Sequence, residues 1–183
     1  IALTLGTALT AANTVAAGDV GDVDQGAIAE DFDPPECDGA NGVLVTAIWQ
    51  VGTPRTSAAS AELVLGGPGN DTLNGQGGTD CIVGGGGNDT LDSGAGGARD
   101  VIVGGDGNAT LSGGNGGDFL YGGNGDDLID GQSGADLLSG EDGNDTLNGG
   151  AGDDTLIGGN NLDSCTGGPG TDTFDPSCEV QNP

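Results

Sequence analysis

The chain has 183 residues, of which 42 are glycine, 29 are acidic and two are basic, with no histidine and a net charge of -27. Nothing in it can neutralise phosphates, so nucleic-acid binding is excluded, and a histidine-based hydrolase or histidine zinc site is impossible. Large apolar side chains are too few for an ordinary core, which leaves an acidic disordered chain or a repeat fold held together by something cationic.

Residues 1–17 (IALTLGTALTAANTVAA) are uncharged. They read like the apolar part and small-residue exit of a secretory signal, and the start at Ile1 points to an upstream segment already lost. Ile1, Leu3, Leu5, Thr7, Leu9, Ala11, Asn13 and Val15 alternate with mostly small residues. That is the period of a strand with one greasy and one small face. Such a strand needs a sheet to complete, in its own domain or in a neighbouring copy. Residues 18–36 are acidic and carry the Pro34–Pro35 pair, so they read as a loop or linker. Residues 43–51 (VLVTAIWQV) predict a strand around Trp49, and 52–61 a connector. Residues 18–61 are thus expected to form a small acidic cap and linker.

From Gly66 the chain repeats every nine residues, and twelve units tile 66–175 without a gap. The fourth unit (SGAGGARDVIV) has eleven residues, and a vestigial unit (SAASAELVL, 57–65) precedes the first. Typical units are GGPGNDTLN, GGGGNDTLD and GEDGNDTLN. This resembles the RTX family of calcium-binding nonapeptide repeats, with the pattern G-G-x-G-x-D-x-U-x and U a large aliphatic residue. The resemblance implies an all-β fold, a parallel β-roll of about six coils over residues 62–175, with a small N-terminal β segment and a C-terminal cap at 176–183. Each unit would supply six turn residues and a three-residue strand, and two units one coil. The inward side chains would be Leu73, Ile82, Leu91, Ile102, Leu111, Leu120, Ile129, Leu138, Leu147, Leu156, Cys165 and Phe174, one per unit.

Aspartate recurs at Asp71, Asp80, Asp89, Asp100, Asp118, Asp127, Asp136, Asp145, Asp154, Asp163 and Asp172, and Ala109 stands in the fifth unit. Glu62 holds the same place in the vestigial unit. Calcium takes six to eight oxygen ligands. Two carboxylates one coil apart, with turn carbonyls, would supply them. Eight complete pairs follow: Asp71–Asp89, Asp80–Asp100, Asp100–Asp118, Asp118–Asp136, Asp127–Asp145, Asp136–Asp154, Asp145–Asp163 and Asp154–Asp172. Glu62–Asp80 would add a terminal site, and the two positions facing Ala109 should be weak or empty. About eight ions would bring the charge from -27 to about -11, so folding and calcium binding should be coupled. Carboxylates that recur so regularly read as ligands, not as a catalytic group.

Several units break the pattern. The fourth, with Arg99 beside Asp100, predicts a bulged turn that either tolerates a loop or anchors a partner. The eleventh has Asn161 for glycine and Cys165 in the aliphatic place. The four cysteines allow three pairings and suggest an oxidising compartment. The short intervening loop favours Cys165–Cys178 as a staple of the C-terminal end, and Cys37–Cys81 is the remaining pair; free thiols are the alternative. The sequons at Asn70, Asn88, Asn108 and Asn144 all lie in odd-numbered units, hence along one edge. The repeat generates N-D-T by itself, so they need carry no sugar.

These readings point to a secreted, calcium-binding structural protein and not an enzyme. It would be an extracellular subunit, self-associating through the N-terminal strand into a surface filament. The alternatives are a monomeric adhesion module with a glycan or surface partner, or the secretion module of a larger exported protein. No small-molecule substrate is evident. The threonine row Thr72, Thr90, Thr110, Thr146 is interrupted by Leu128 and Ser164, a poor lattice for binding ice.

Overall fold

A computed structural model describes residues 47–50, for which only the backbone is considered, and 61–182. The expectations for residues 1–17, for most of the 18–61 cap and for Cys37 lie outside the described residues. In chain order the strands are β1 (Ala47–Gln50), β2 (Glu62–Leu65), β3 (Thr72–Asn74), β4 (Cys81–Gly86), β5 (Thr90–Asp92), β6 (Val101–Asp106), β7 (Thr110–Ser112), β8 (Phe119–Asn124), β9 (Leu128–Asp130), β10 (Leu137–Asp142), β11 (Thr146–Asn148), β12 (Thr155–Asn160), β13 (Ser164–Thr166), β14 (Thr173–Phe174) and β15 (Val180–Asn182).

Successive strands alternate between two parallel sheets. One has eight strands in the order β1-β2-β4-β6-β8-β10-β12-β14, and the other seven in the order β15-β13-β11-β9-β7-β5-β3. This is a β-roll of about seven coils, one more than expected. Two elements extend it: β1, around Trp49, pairs with β2, and the tail strand β15 pairs with β13. In the larger sheet strands such as β10 run six residues, because the paired backbone continues into the next turn.

The core is one aliphatic side chain deep. Ile82, Ile102, Leu120, Leu138 and Leu156 stack in register on one side, and Leu91, Leu111, Ile129 and Leu147 on the other, all essentially inaccessible. Val64 of the vestigial unit joins them, and Phe174 is only partly buried at the C-terminal end. A second apolar cluster lies on the opposite face of the larger sheet: Leu63, Cys81, Val83 and Val101, with Phe119 and Tyr121 against it.

Left-handed backbone recurs at the fourth residue of most turns. Gly125 and Gly134 sit there at φ 130° and 149°, and Asn161 replaces them at φ 79°, a conformation asparagine tolerates better than most residues. The sequon asparagines do line one edge and have a structural task. The Asn70 side-chain oxygen accepts from Asn88 N at 2.9 Å, and that of Asn88 from Asn108 N at 3.1 Å.

Candidate metal centres

Every carboxylate pair expected from the repeat is brought together. In each, the backbone N–H of one acidic residue donates to Oδ1 of the aspartate one coil later, at 2.6–3.1 Å. One edge carries Asp71, Asp89, Ala109, Asp127, Asp145 and Asp163. The other carries Glu62, Asp80, Asp100, Asp118, Asp136, Asp154 and Asp172. The ladder continues past the missing carboxylate, because Ala109 N still donates to Asp127 Oδ1 at 2.7 Å.

The second oxygen of each carboxylate has a different fate. Oδ2 of Asp89, Asp118, Asp127, Asp136, Asp145, Asp154 and Asp163 is buried and meets no hydrogen-bond donor. A buried carboxylate oxygen without a donor is costly unless something cationic or a proton meets it. Burial holds these carboxyls above the usual range, with a partial offset from the N–H each accepts. Asp118 and Asp136 are pushed up to about 7 and Asp127 and Asp145 to about 6. Asp89, Asp154 and Asp163 are raised for the same reason.

What Oδ2 faces is the first glycine of its own unit. That glycine is not left-handed, so the backbone would accept a side chain, and the space is what forbids one. A methyl group at Gly131 would stand 2.6 Å from Asp136 Oδ2 and 2.6 Å from the Gly149 carbonyl oxygen of the next coil. At Gly75 the corresponding distances are 2.5 Å to Asp80 Oδ2 and 2.6 Å to Ser93 O. The turns that open at Gly66, Gly75, Gly84, Gly113, Gly122, Gly131, Gly140 and Gly158 thus each keep open a small space walled by a carboxylate oxygen and a carbonyl oxygen. Among the described residues no three His, Cys, Asp or Glu side chains converge. The donor set is therefore carboxylate mixed with backbone carbonyl, which suits calcium better than zinc.

Two of these spaces do not fit a cation. In the fourth unit Ser93 replaces the first glycine. Its side chain fills the space, its single hydroxyl proton shared between Gly113 O and the Asp100 carboxylate. In the fifth unit the Ala109 methyl group lies 3.0 Å from where a methyl on Gly104 would be, and no carboxylate is present. The bulge of the fourth unit uses Arg99 within the roll: its Nε donates to Gly117 O at 3.1 Å and its guanidinium lies 5.2 Å from the centre of the Phe119 ring.

Cys165 and Cys178 form a disulfide, as expected. Cys81 is also disulfide-bonded. Sequence reasoning passed over two features. Ser93 was visible as the one non-glycine at the start of a full unit, and Glu179 as an acid just beyond the last repeat. Asp163 N donates to Glu179 Oε2 at 2.7 Å.

A family model described as the RTX calcium-binding nonapeptide repeat (4 copies) matches residues 59–91, 103–138 and 139–174. The gap between the first two matches is essentially the eleven-residue unit that holds Ser93 and Asp100. No curated protein and no solved structure matches the chain. The repeated unit is a structural calcium-binding element, not a catalytic one. With more than half its residues matched, and with parallel coils whose turns enclose oxygen-walled spaces, the chain belongs to the RTX calcium-binding nonapeptide-repeat family.

Proposed function

We propose that this protein is an exported structural module whose roll folds on calcium, with Asp71, Asp80, Asp89, Asp100 (as the partner of Asp80), Asp118, Asp127, Asp136, Asp145, Asp154, Asp163 and Asp172 as carboxylate ligands. Bound calcium would supply the positive charge and accept the turn oxygens. The observation that carries this reading is the row of buried, donor-free Oδ2 atoms facing carbonyl oxygens. Without a cation, stacked carboxylates repel across a core one side chain thick, on a chain of net charge -27. Far-ultraviolet circular dichroism of the full chain at neutral pH tests it. In millimolar calcium the spectrum is expected to be that of a β protein with a cooperative melt, and in chelator that of an expanded chain. Equal melts in both would overturn the proposal.

The finer reading is an extracellular subunit that self-associates, with residues 1–17 as the joining strand. Family membership supports export, and the disulfides suit an oxidising compartment. Each sheet ends at the C-terminal side in a short strand, β14 or β15, and Val180 of β15 is exposed. A terminal strand is a template for strand addition. Electron microscopy in calcium is expected to show filaments for the full chain and single particles once residues 1–17 are deleted; single particles from both would reject it. We also propose that residues 18–61 cap the apolar outer face through a Cys37–Cys81 bond, since Cys81 is disulfide-bonded within that cluster. Thiol titration of the unfolded Cys37→Ser variant is expected to find one free thiol.

A further inference from the structure

We propose that the C-terminal tail, beyond the matched repeats, completes a terminal calcium site around Asp163, with Ser177 and Glu179 as its donors. This rests on the calcium-folded reading above. Asp163 is 1% exposed, and its Oδ2 is buried without a donor. A methyl group at Gly158 would meet that oxygen on one side and the Ser177 carbonyl oxygen, at 2.7 Å, on the other. One coil earlier on the same edge, the matching wall at Gly140 is the carbonyl of Gly158, the first residue of a repeat. After the twelfth unit no such repeat follows, and Ser177 takes the place.

The neighbouring carboxylate is replaced in the same way. Asp145 N donates to Asp163 Oδ1 across 18 residues at 2.8 Å, and Asp163 N donates to Glu179 Oε2 across 16 residues at 2.7 Å. The backbone register is kept, since Val180 N donates to Asp163 O much as Ser164 N donates to Asp145 O. Residues 176–182 are therefore a shortened repeat, and the extra methylene of glutamate offsets part of the missing chain. A cap needing only this hydrogen bond would be served by a neutral glutamine. A second carboxylate beside a buried first one is repulsive unless a cation meets both.

Cys178 lies between the two donors and is tied to Cys165 of β13. Cys178 N also donates to Asp175 O at 3.0 Å. The bond thus holds Ser177 and Glu179 against the last coil. The other edge ends differently: the atoms nearest a methyl at Gly167 all belong to Asp172.

Native mass spectrometry and calorimetric titration of the full chain with calcium chloride test the site. Glu179→Gln is expected to bind one ion fewer, or to weaken one site by at least roughly ten- to a hundredfold, since removing even an outer-shell partner costs about that much. The remaining sites and the dichroism spectrum should be unchanged. An unchanged ion count with unchanged affinities would overturn the proposal while leaving the calcium-folded reading intact. A wild-type chain that binds no calcium would overturn both. The paired variant Cys165→Ser with Cys178→Ser is expected to weaken the same single site. If all sites keep wild-type affinity in that variant, the tether has no part in it.

Discussion

The roll from Asp118 to Asp163 and the two units between Ser93 and Ala109 share one backbone and differ in their turns. Ile102 and Leu138 are equally inaccessible, and Leu111 is 1% exposed. The interstrand bonds run on through both, as from Thr110 N to Asp89 O at 2.8 Å and from Thr155 N to Asp136 O at 2.8 Å. Yet Asp118 and Asp136 present a buried Oδ2 without a donor, whereas Asp100 is met by Ser93 and Ala109 has no carboxylate. Stacking of the coils is therefore separable from the metal cradle. Where a hydroxyl fills the space, or the charge is absent, the same coil closes without a cation. Both breaks fall in consecutive units, one on each edge, so the two rows of open spaces are interrupted at nearly the same level while the hydrogen-bond ladders run on.

The sharpest way to break this comparison is to remove one carboxylate from each region. Asp136→Asn is expected to cost about 2.7 kcal/mol in calcium at a hundred times the site's dissociation constant, and far less in chelator. Asp100→Asn should lose only the ion it shares with Asp80, its own space being filled by Ser93, and so fewer ions than Asp136→Asn, whose carboxylate serves its own space and that of Asp118. Denaturant melts with and without calcium, together with ion counts, check both; equal calcium-dependent losses would abolish the distinction.

Acidity runs through both regions, since burial pushes Asp100 up to about 7 as well. Asp118 and Asp136 rise from 3.8 to about 7 and Asp127 and Asp145 to about 6, chiefly through burial. The folded state then holds more protons than the unfolded state between about pH 4 and 7, so calcium-free stability falls as pH rises through that window. The calcium-free chain is expected to be more structured at pH 5 than at pH 8 by circular dichroism, because a proton neutralises what calcium otherwise would. The reverse order would contradict burial without a counter-charge.

The smallest effect is expected from Ser93→Gly, which reopens the filled space. Without calcium it should cost about 1–2 kcal/mol, from backbone entropy and from removing a donor to the buried Asp100 carboxylate, and with calcium it should add one bound ion. No added ion would mean that Ser93 is not what closes the site.

Much of this was legible because a nine-residue period leaves little freedom: the buried column from Leu73 to Leu156 and every carboxylate pair follow from counting. What escaped was what departs from the count. Ser93 lies in a unit lengthened by two residues, so the nine-residue count does not by itself fix what its first position faces. Glu179 lies 16 residues beyond Asp163 and is not an aspartate, so neither spacing nor residue type marked it. The outward cluster at Cys81 and Val101 reads in sequence as exposed strand positions, and its burial depends on what packs over the sheet.

The sequence by itself determined the class of fold, the inward column, the ladder partners and calcium as the cation. All of these depend on a local pattern repeated once per turn, and parallel stacking turns a period into a register. Only the tertiary structure decided which turns keep an oxygen-walled space open, that Ser93 closes one, and that the tail at Ser177 and Glu179 closes the end of one edge. Those outcomes rest on a few ångströms between atoms of different coils, which the order of residues along one coil does not contain.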